Sequence, residues 1–210
     1  MGELLKDILF HVAQHLGYTL ISVGVGFVLG LTLGMALSRF PRLSRYLIPV
    51  LSILNTVPGI VFIGILFIYL GRQPLTVLTA LSIYAMFPVL KNTVAGLASV
   101  EPQYKEAARG CGMSHMQRLM QVELPLAMPT IIGGLRLSTV YTVSWAVLAS
   151  MIGLGGLGDF IYQGVSSYNN ALILQGAIPA ALLAFLLGSL VDLLQRRVVP
   201  KGMRKGGDAQ

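Results

Sequence analysis

The sequence predicts an all-α, polytopic membrane protein with five transmembrane helices and one shaped polar loop between the third and the fourth. Three observations predict it. Hydrophobic residues make up 55% of the 210 and charged residues only 11%, against roughly a quarter charged in soluble domains. The mean hydropathy is +0.76. Uncharged runs at Leu16–Ser38, Tyr46–Gly71, Gln73–Leu90, Leu137–Gly158 and Phe160–Val191 meet or approach the roughly 20 apolar residues that cross a bilayer. Spans are expected at about 17–38, 47–70, 74–97, 126–151 and 173–195, within a membrane domain at 17–199.

The net charge of +7 first suggests a nucleic-acid binder, but its placement excludes one. Arg39, Arg42 and Arg45 form one basic group, and Lys91, Lys105, Arg109 and Arg118 a second. Arg196, Arg197, Lys201, Arg204 and Lys205 form the third. Basic residues retained in alternate loops mark the cytoplasmic side. An odd number of spans then puts the N-terminus outside and the C-terminus, with a tail at 200–210, in the cytoplasm. The lone Cys111 cannot form an internal disulfide and is expected to be inert.

Each element follows from local chemistry. Within residues 1–16, Leu4, Leu5, Ile8, Leu9 and Val12 share one helical face with Glu3, Lys6 and Asp7 elsewhere, which suits the outer interface ahead of an uncleaved first span. Gly24, Gly26, Gly30 and Gly34 include three at intervals of four, which allows close helix packing. Span two is interrupted by Asn55-Thr56-Val57-Pro58-Gly59, since proline removes a backbone donor. Similar interruptions are expected at Pro88 and Pro179. Irregular backbone at membrane depth survives only against protein or a water-filled cavity, so these breaks suit a translocation route.

Several motifs imitate other chemistries. Gly153–Gly158 contains the spacing of a dinucleotide fingerprint but lacks the strand that such a site needs. It is expected to be a flexible outer turn. His11 and His15 stand at i and i+4, but Val12 replaces the glutamate of a zinc protease; a surface pair is expected. Arg136 is expected to make a structural contact to loop carbonyls, and Asp192 to pair with Arg196 one turn on. No catalytic constellation is present in the sequence.

The loop at 98–125 carries Glu101, Lys105, Glu106, Arg109, Arg118 and Glu123. Pro102 suits a helix start, Gly112 a sharp reversal, and Pro125 the opening of the next helix. The chain thus presents a cytoplasmic helix–turn–helix knob to a soluble partner, or merely a solvated loop.

The spacing Glu106-Ala107-Ala108, Gly112, Val122-x-Leu124-Pro125 resembles the EAA loop of ABC importer permeases, with valine where isoleucine is common. The five-span core is similar to the methionine-importer-like permease fold, over essentially the whole chain. A narrower resemblance rests on Asn55–Pro58, Lys91-Asn92-Thr93, Glu106–Pro125, Ile152–Asp159 and Gln175–Pro179. Those stretches are similar to permeases for glycine betaine, carnitine and choline.

The resemblance implies a permease subunit in a bacterial or archaeal cell (inner) membrane, with no catalytic site of its own. Two permeases, identical or paralogous, meet at a pathway, and a separate extracytoplasmic binding protein delivers cargo. This chain is expected to hold no cofactor, ATP and magnesium acting on the partner ATPase. Glu106, Ala107, Ala108, Gly112, Val122, Leu124 and Pro125 are assigned to ATPase coupling, with Glu106 anchoring the knob by hydrogen bonds. A quaternary ammonium is attracted to aromatic faces. Tyr84, Tyr141 and Trp145 are therefore pathway candidates, with Asn55, Thr56 and Pro58 at the broken helix. A permease for another small solute such as methionine, a stand-alone secondary transporter and a membrane scaffold remain open.

Overall fold

The computed structural model describes residues 2–198; the tail at 199–210 and the side chain of Leu54 lie outside the described residues. Nine α-helices follow in order among them. These are α1 (Gly2–Ser38), α2 (Pro41–Leu54), α3 (Gly59–Leu70), α4 (Pro74–Ala98), α5 (Pro102–Gly110), α6 (His115–Arg118), α7 (Leu124–Ala146), α8 (Gly158–Ser166) and α9 (Asn170–Val198). A π-helical turn at Leu119–Glu123 joins α6 to α7, and a 3-10 segment at Val147–Ile152 prolongs α7.

Four helical stretches are long and apolar enough to cross a membrane: Gly2–Ser38, Pro74–Ala98, His115–Ile152 and Asn170–Val198. The stretch expected to be the second span is two pieces of 14 and 12 residues, so neither piece reaches that length alone. Its break falls at 55–58, as the Pro58 chemistry requires. Helix α1, by contrast, runs unbroken for 37 residues, about 55 Å at 1.5 Å per residue. Residues 2–16 are therefore the start of the same helix and not a separate element.

Tight packing sets the bundle. Helix α1 lies along α4, and α4 packs in turn on α7. The contact with α1 is made by Gly26, Gly30 and Gly34. A Cβ on Gly26 would stand 2.6 Å from Cβ of Ala85, and one on Gly34 2.6 Å from Cβ of Thr93. No side chain fits there, and the backbones approach accordingly. Gly24 faces open space. The core is apolar beside this seam, with Val77, Leu81, Ala146 and Ala149 around Tyr18, and Leu97, Leu119, Ala127 and Ile131 nearer the loop.

Pro88 and Pro179 do not interrupt their helices: α4 and α9 pass through them. Around Pro88, Ser138 donates a hydrogen bond to the Ala85 carbonyl at 2.7 Å and Asn92 to the Pro88 carbonyl at 2.8 Å. Side-chain donors of this kind compensate a backbone that proline disturbs. Pro125 stands in the first turn of α7, as expected, where its missing N–H leaves no helix bond unmade. The π turn before it widens the coil, Leu124 donating back to Leu119, and the helix continues. A π turn is a usual way to absorb one misfitting residue.

Candidate functional site

Two regions deserve a functional reading, the knob at one end of the bundle and an aromatic cluster at its middle. The knob is α5 and α6 around a glycine turn. Gly112 has φ +75°, a conformation that costs other L-residues roughly 1–2 kcal/mol. Gly112 N–H donates to Arg109 O at 2.9 Å and Met113 N–H to Ala108 O at 3.1 Å. This pair of bonds is the Schellman closure of a helix end. Ser114 then opens α6 with a reciprocal capping box to Gln117, which satisfies two orphan donors.

The knob is fixed to the bundle from below. Ala108 and Leu119 are buried. Glu123, also buried, accepts a 2.7 Å hydrogen bond from Arg118 Nε, and Arg118 Nη2 lies 2.8 Å from His115 Nδ1. Lys105 Nζ donates to the Leu97 carbonyl at 3.1 Å, near the end of α4, where a cation suits the helix dipole. Glu106 takes no part in this anchoring: it is exposed, and no side-chain hydrogen bond joins it to the described residues. Its expected anchoring role passes to Glu123, Arg118 and Lys105, because their side chains face the bundle.

The remaining predicted knob residues divide by exposure. Ala107 and Gly112 join Glu106 on the open surface, while Val122, Leu124 and Pro125 are half-buried in the root. Beneath the knob, a cavity of about 180 Å³ opens between Ser38, Pro41, Ser44, Val94, Leu97, Ala98, Lys105 and Glu123.

The second region surrounds the broken helix. Tyr84 stands near the midpoint of α4, is 6% exposed, and donates from its hydroxyl to the Val57 carbonyl at 2.7 Å. Its ring meets Trp145 of α7 edge-on at 3.8 Å between centroids and Phe62 of α3 at 5.4 Å. Of the predicted pathway residues, the fold thus brings together Tyr84, Trp145 and the 55–58 break. Thr56 and Pro58 are exposed and Asn55 half-buried at that break. Tyr141 is 51% exposed on α7 and makes no ring contact with the cluster. Phe62 was missed; its position four residues after Pro58, on the same helical face, was the available signal.

The opposite end overturns several expectations. The glycine-rich turn at 153–158 is clamped, not loose. Arg72 donates to the Gly153 carbonyl at 2.7 Å, Tyr18 to the Leu154 carbonyl at 3.0 Å, and Gly156 N–H to Gln14 Oε1 at 2.9 Å. His15 is not a surface residue: it is fully buried, with Nε2 2.9 Å from the Val143 carbonyl. His11 is half-buried, 3.4 Å from Asp159 and against the Phe160 ring at 4.8 Å between centroids, tilted 56° to it. No group of three or more metal-ligating side chains forms among the described residues. Arg136 pairs with Asp192 at 2.8 Å, an ion pair between α7 and α9 and not a contact to loop carbonyls. Cys111 is exposed at the knob's tip.

Comparison with known proteins places this architecture. The family model described as "Binding-protein-dependent transport system inner membrane component" matches residues 14–204. The carnitine transport permease protein OpuCB of Listeria monocytogenes is 39% identical, over 95% of this chain and 91% of that protein. The glycine betaine/carnitine/choline transport system permease protein OpuCB of Bacillus subtilis is 35% identical, over 94% and 91%. Among solved structures, a chain of the MetNI methionine ABC transporter in an inward-facing conformation superposes with a TM-score of 0.83. At 22% identity it covers 95% of this chain and 100% of that one, a likeness of fold. The chain is a multi-pass membrane protein that belongs to the binding-protein-dependent transport system inner membrane component family, the permease subunits of ABC importers.

Proposed function

We propose that this permease imports quaternary-ammonium osmoprotectants, namely glycine betaine, carnitine and choline, and that ATP hydrolysis on a partner ATPase drives it through the knob at 98–125. The observation that carries the cargo reading is the 34–39% identity, across nearly the whole chain, to permeases named for those compounds. An aromatic cluster beside a broken helix at mid-span suits the quaternary ammonium group these compounds share, which has no N–H to donate.

In this reading α2 and α3 together make the fifth crossing, so spans lie near 17–38, 47–70, 74–97, 126–151 and 173–195. The knob and the tail beyond 199 face the cytoplasm, and residues 1–16 lie at the outer surface. Glu106, Ala107 and Gly112 meet the ATPase. Ala108, Val122, Leu124 and Pro125 form the root that passes its motion to α4 and α7. The buried Glu123–Arg118 pair makes that root stiff. ATP and magnesium act on the ATPase subunits, a second permease (identical or paralogous) completes the pathway, and a separate extracytoplasmic binding protein supplies cargo. Asn55, Thr56, Pro58, Tyr84, Tyr141 and Trp145 border the route. Arg136 is neutralised by Asp192 and does not repel a cation.

The test is ATP-dependent uptake of labelled glycine betaine, carnitine and choline by the reconstituted permease, ATPase and binding protein. Uptake of at least one is expected. Uptake of an amino acid such as methionine, with none of the three, would overturn the cargo reading.

A further inference from the structure

Resting on the cargo reading above, we infer that Phe62 and Trp145 form a specificity-determining contact for the trimethylammonium group, and that Tyr84, packed against both, is its positioning residue. The three rings come from α3, α4 and α7, so no one helix could assemble them. They stand at the level where α2 and α3 part, and Tyr84 lies near the midpoint of α4, a 25-residue helix. A discontinuous helix at mid-span is where transporters usually form cargo sites.

The roles within the cluster divide by exposure. Tyr84 is buried and enclosed by its two neighbours, so it offers little surface to a ligand. Phe62 and Trp145 are half-buried and retain open ring surface. A methylated ammonium needs ring faces and cannot reward hydrogen-bond acceptors. The hydroxyl of Tyr84 does something else. It holds the Val57 carbonyl at the break, which fixes α3, and with it Phe62, against Trp145. The contact is narrow, because Gly59 is so close to Leu148 that a Cβ there would stand 2.9 Å from its Cδ1. The same bond therefore ties the geometry of the rings to the position of the broken helix.

Substitutions in the assembled importer, reconstituted with its ATPase and binding protein, separate these roles. Phe62→Leu and Trp145→Leu remove ring faces, and each is expected to lower betaine uptake about tenfold per assembled complex. ATP hydrolysis stimulated by the loaded binding protein should continue in both. Phe62→Tyr keeps the face and should retain most uptake. Tyr84→Phe keeps all three rings but frees Val57; it should raise ATP hydrolysis without cargo and lower the uptake obtained per ATP. Normal uptake by Phe62→Leu and Trp145→Leu would overturn the contact. Unchanged coupling in Tyr84→Phe would overturn the positioning role. A wild-type complex that imports none of the three compounds would instead overturn the cargo reading on which this inference rests.

Discussion

The two ends of the bundle each contain the same turn, used in opposite ways. At Gly112, N–H groups of residues 112 and 113 close on Arg109 and Ala108. At Gly153, those of residues 153 and 154 close on Ser150 and Ala149 in the same pattern. Both glycines have φ near +70°. Around Gly112 there is open space within 4 Å, whereas Gly153 is walled by the Arg72 guanidinium. A turn's local chemistry thus fixes its shape and not its stiffness. Tertiary neighbours make one turn a presenting surface and the other a joint.

The strongest way to break this contrast is to add a side chain at the clamped turn. A Cβ on Gly158 would lie 2.2 Å from the Val147 carbonyl oxygen, which is backbone and cannot step aside. Gly158→Val is expected to cost about 3 kcal/mol or more and to abolish assembly of monodisperse protein in size-exclusion chromatography. If Gly158→Val is as stable as wild type, the joint is not rigid.

The next effect lies in the root of the knob. Glu123→Ala leaves Arg118 without its partner in a largely buried site, at an expected cost of about 3 kcal/mol. Thermal unfolding in detergent should show a lowered midpoint, and Glu123→Ala combined with Arg118→Met should recover part of it. A midpoint unchanged in the single variant would mean that the pair does not anchor the knob.

Smaller still is the change at the open turn. Gly112→Ala forces alanine into the left-handed region at roughly 1–2 kcal/mol, spent locally. The unfolding midpoint of the bundle should barely move while co-purification of the ATPase falls. A change of midpoint with association intact would contradict the division between presenting surface and joint. Glu106→Ala should leave the permease's stability within about 0.5 kcal/mol and weaken ATPase association. Unaltered association would remove Glu106 from the docking surface.

The sequence made some of this legible and hid the rest for physical reasons. The break at 55–58 was readable because Pro58 cannot donate and is followed by Gly59. The turn at Gly112 was readable because its requirement is local. Pro125 was readable too, as the first turn of α7, whereas Pro88 and Pro179 misled because intact helices accommodate them. The clamped state of Gly153–Gly158 was invisible, since Gln14, Tyr18 and Arg72 are remote in sequence. So was the burial of His15, whose contact to Val143 depends on the crossing of α1 and α7. The partner of Arg136 was equally hidden, because Asp192 lies on another helix and is brought near by the packing of α9 on α7. Local signals located the candidate sites; only tertiary contacts assigned stiffness, partners and the third aromatic ring.

The central claim, that the open turn is the seat of the ATPase, can be measured at the residue beside it. Cys111 is the chain's only cysteine and is exposed at the tip. Labelling by a maleimide, read on the permease band, should be rapid in the free permease and strongly suppressed once the ATPase is assembled on it. Equal labelling of Cys111 in free permease and in an actively transporting complex would contradict the account.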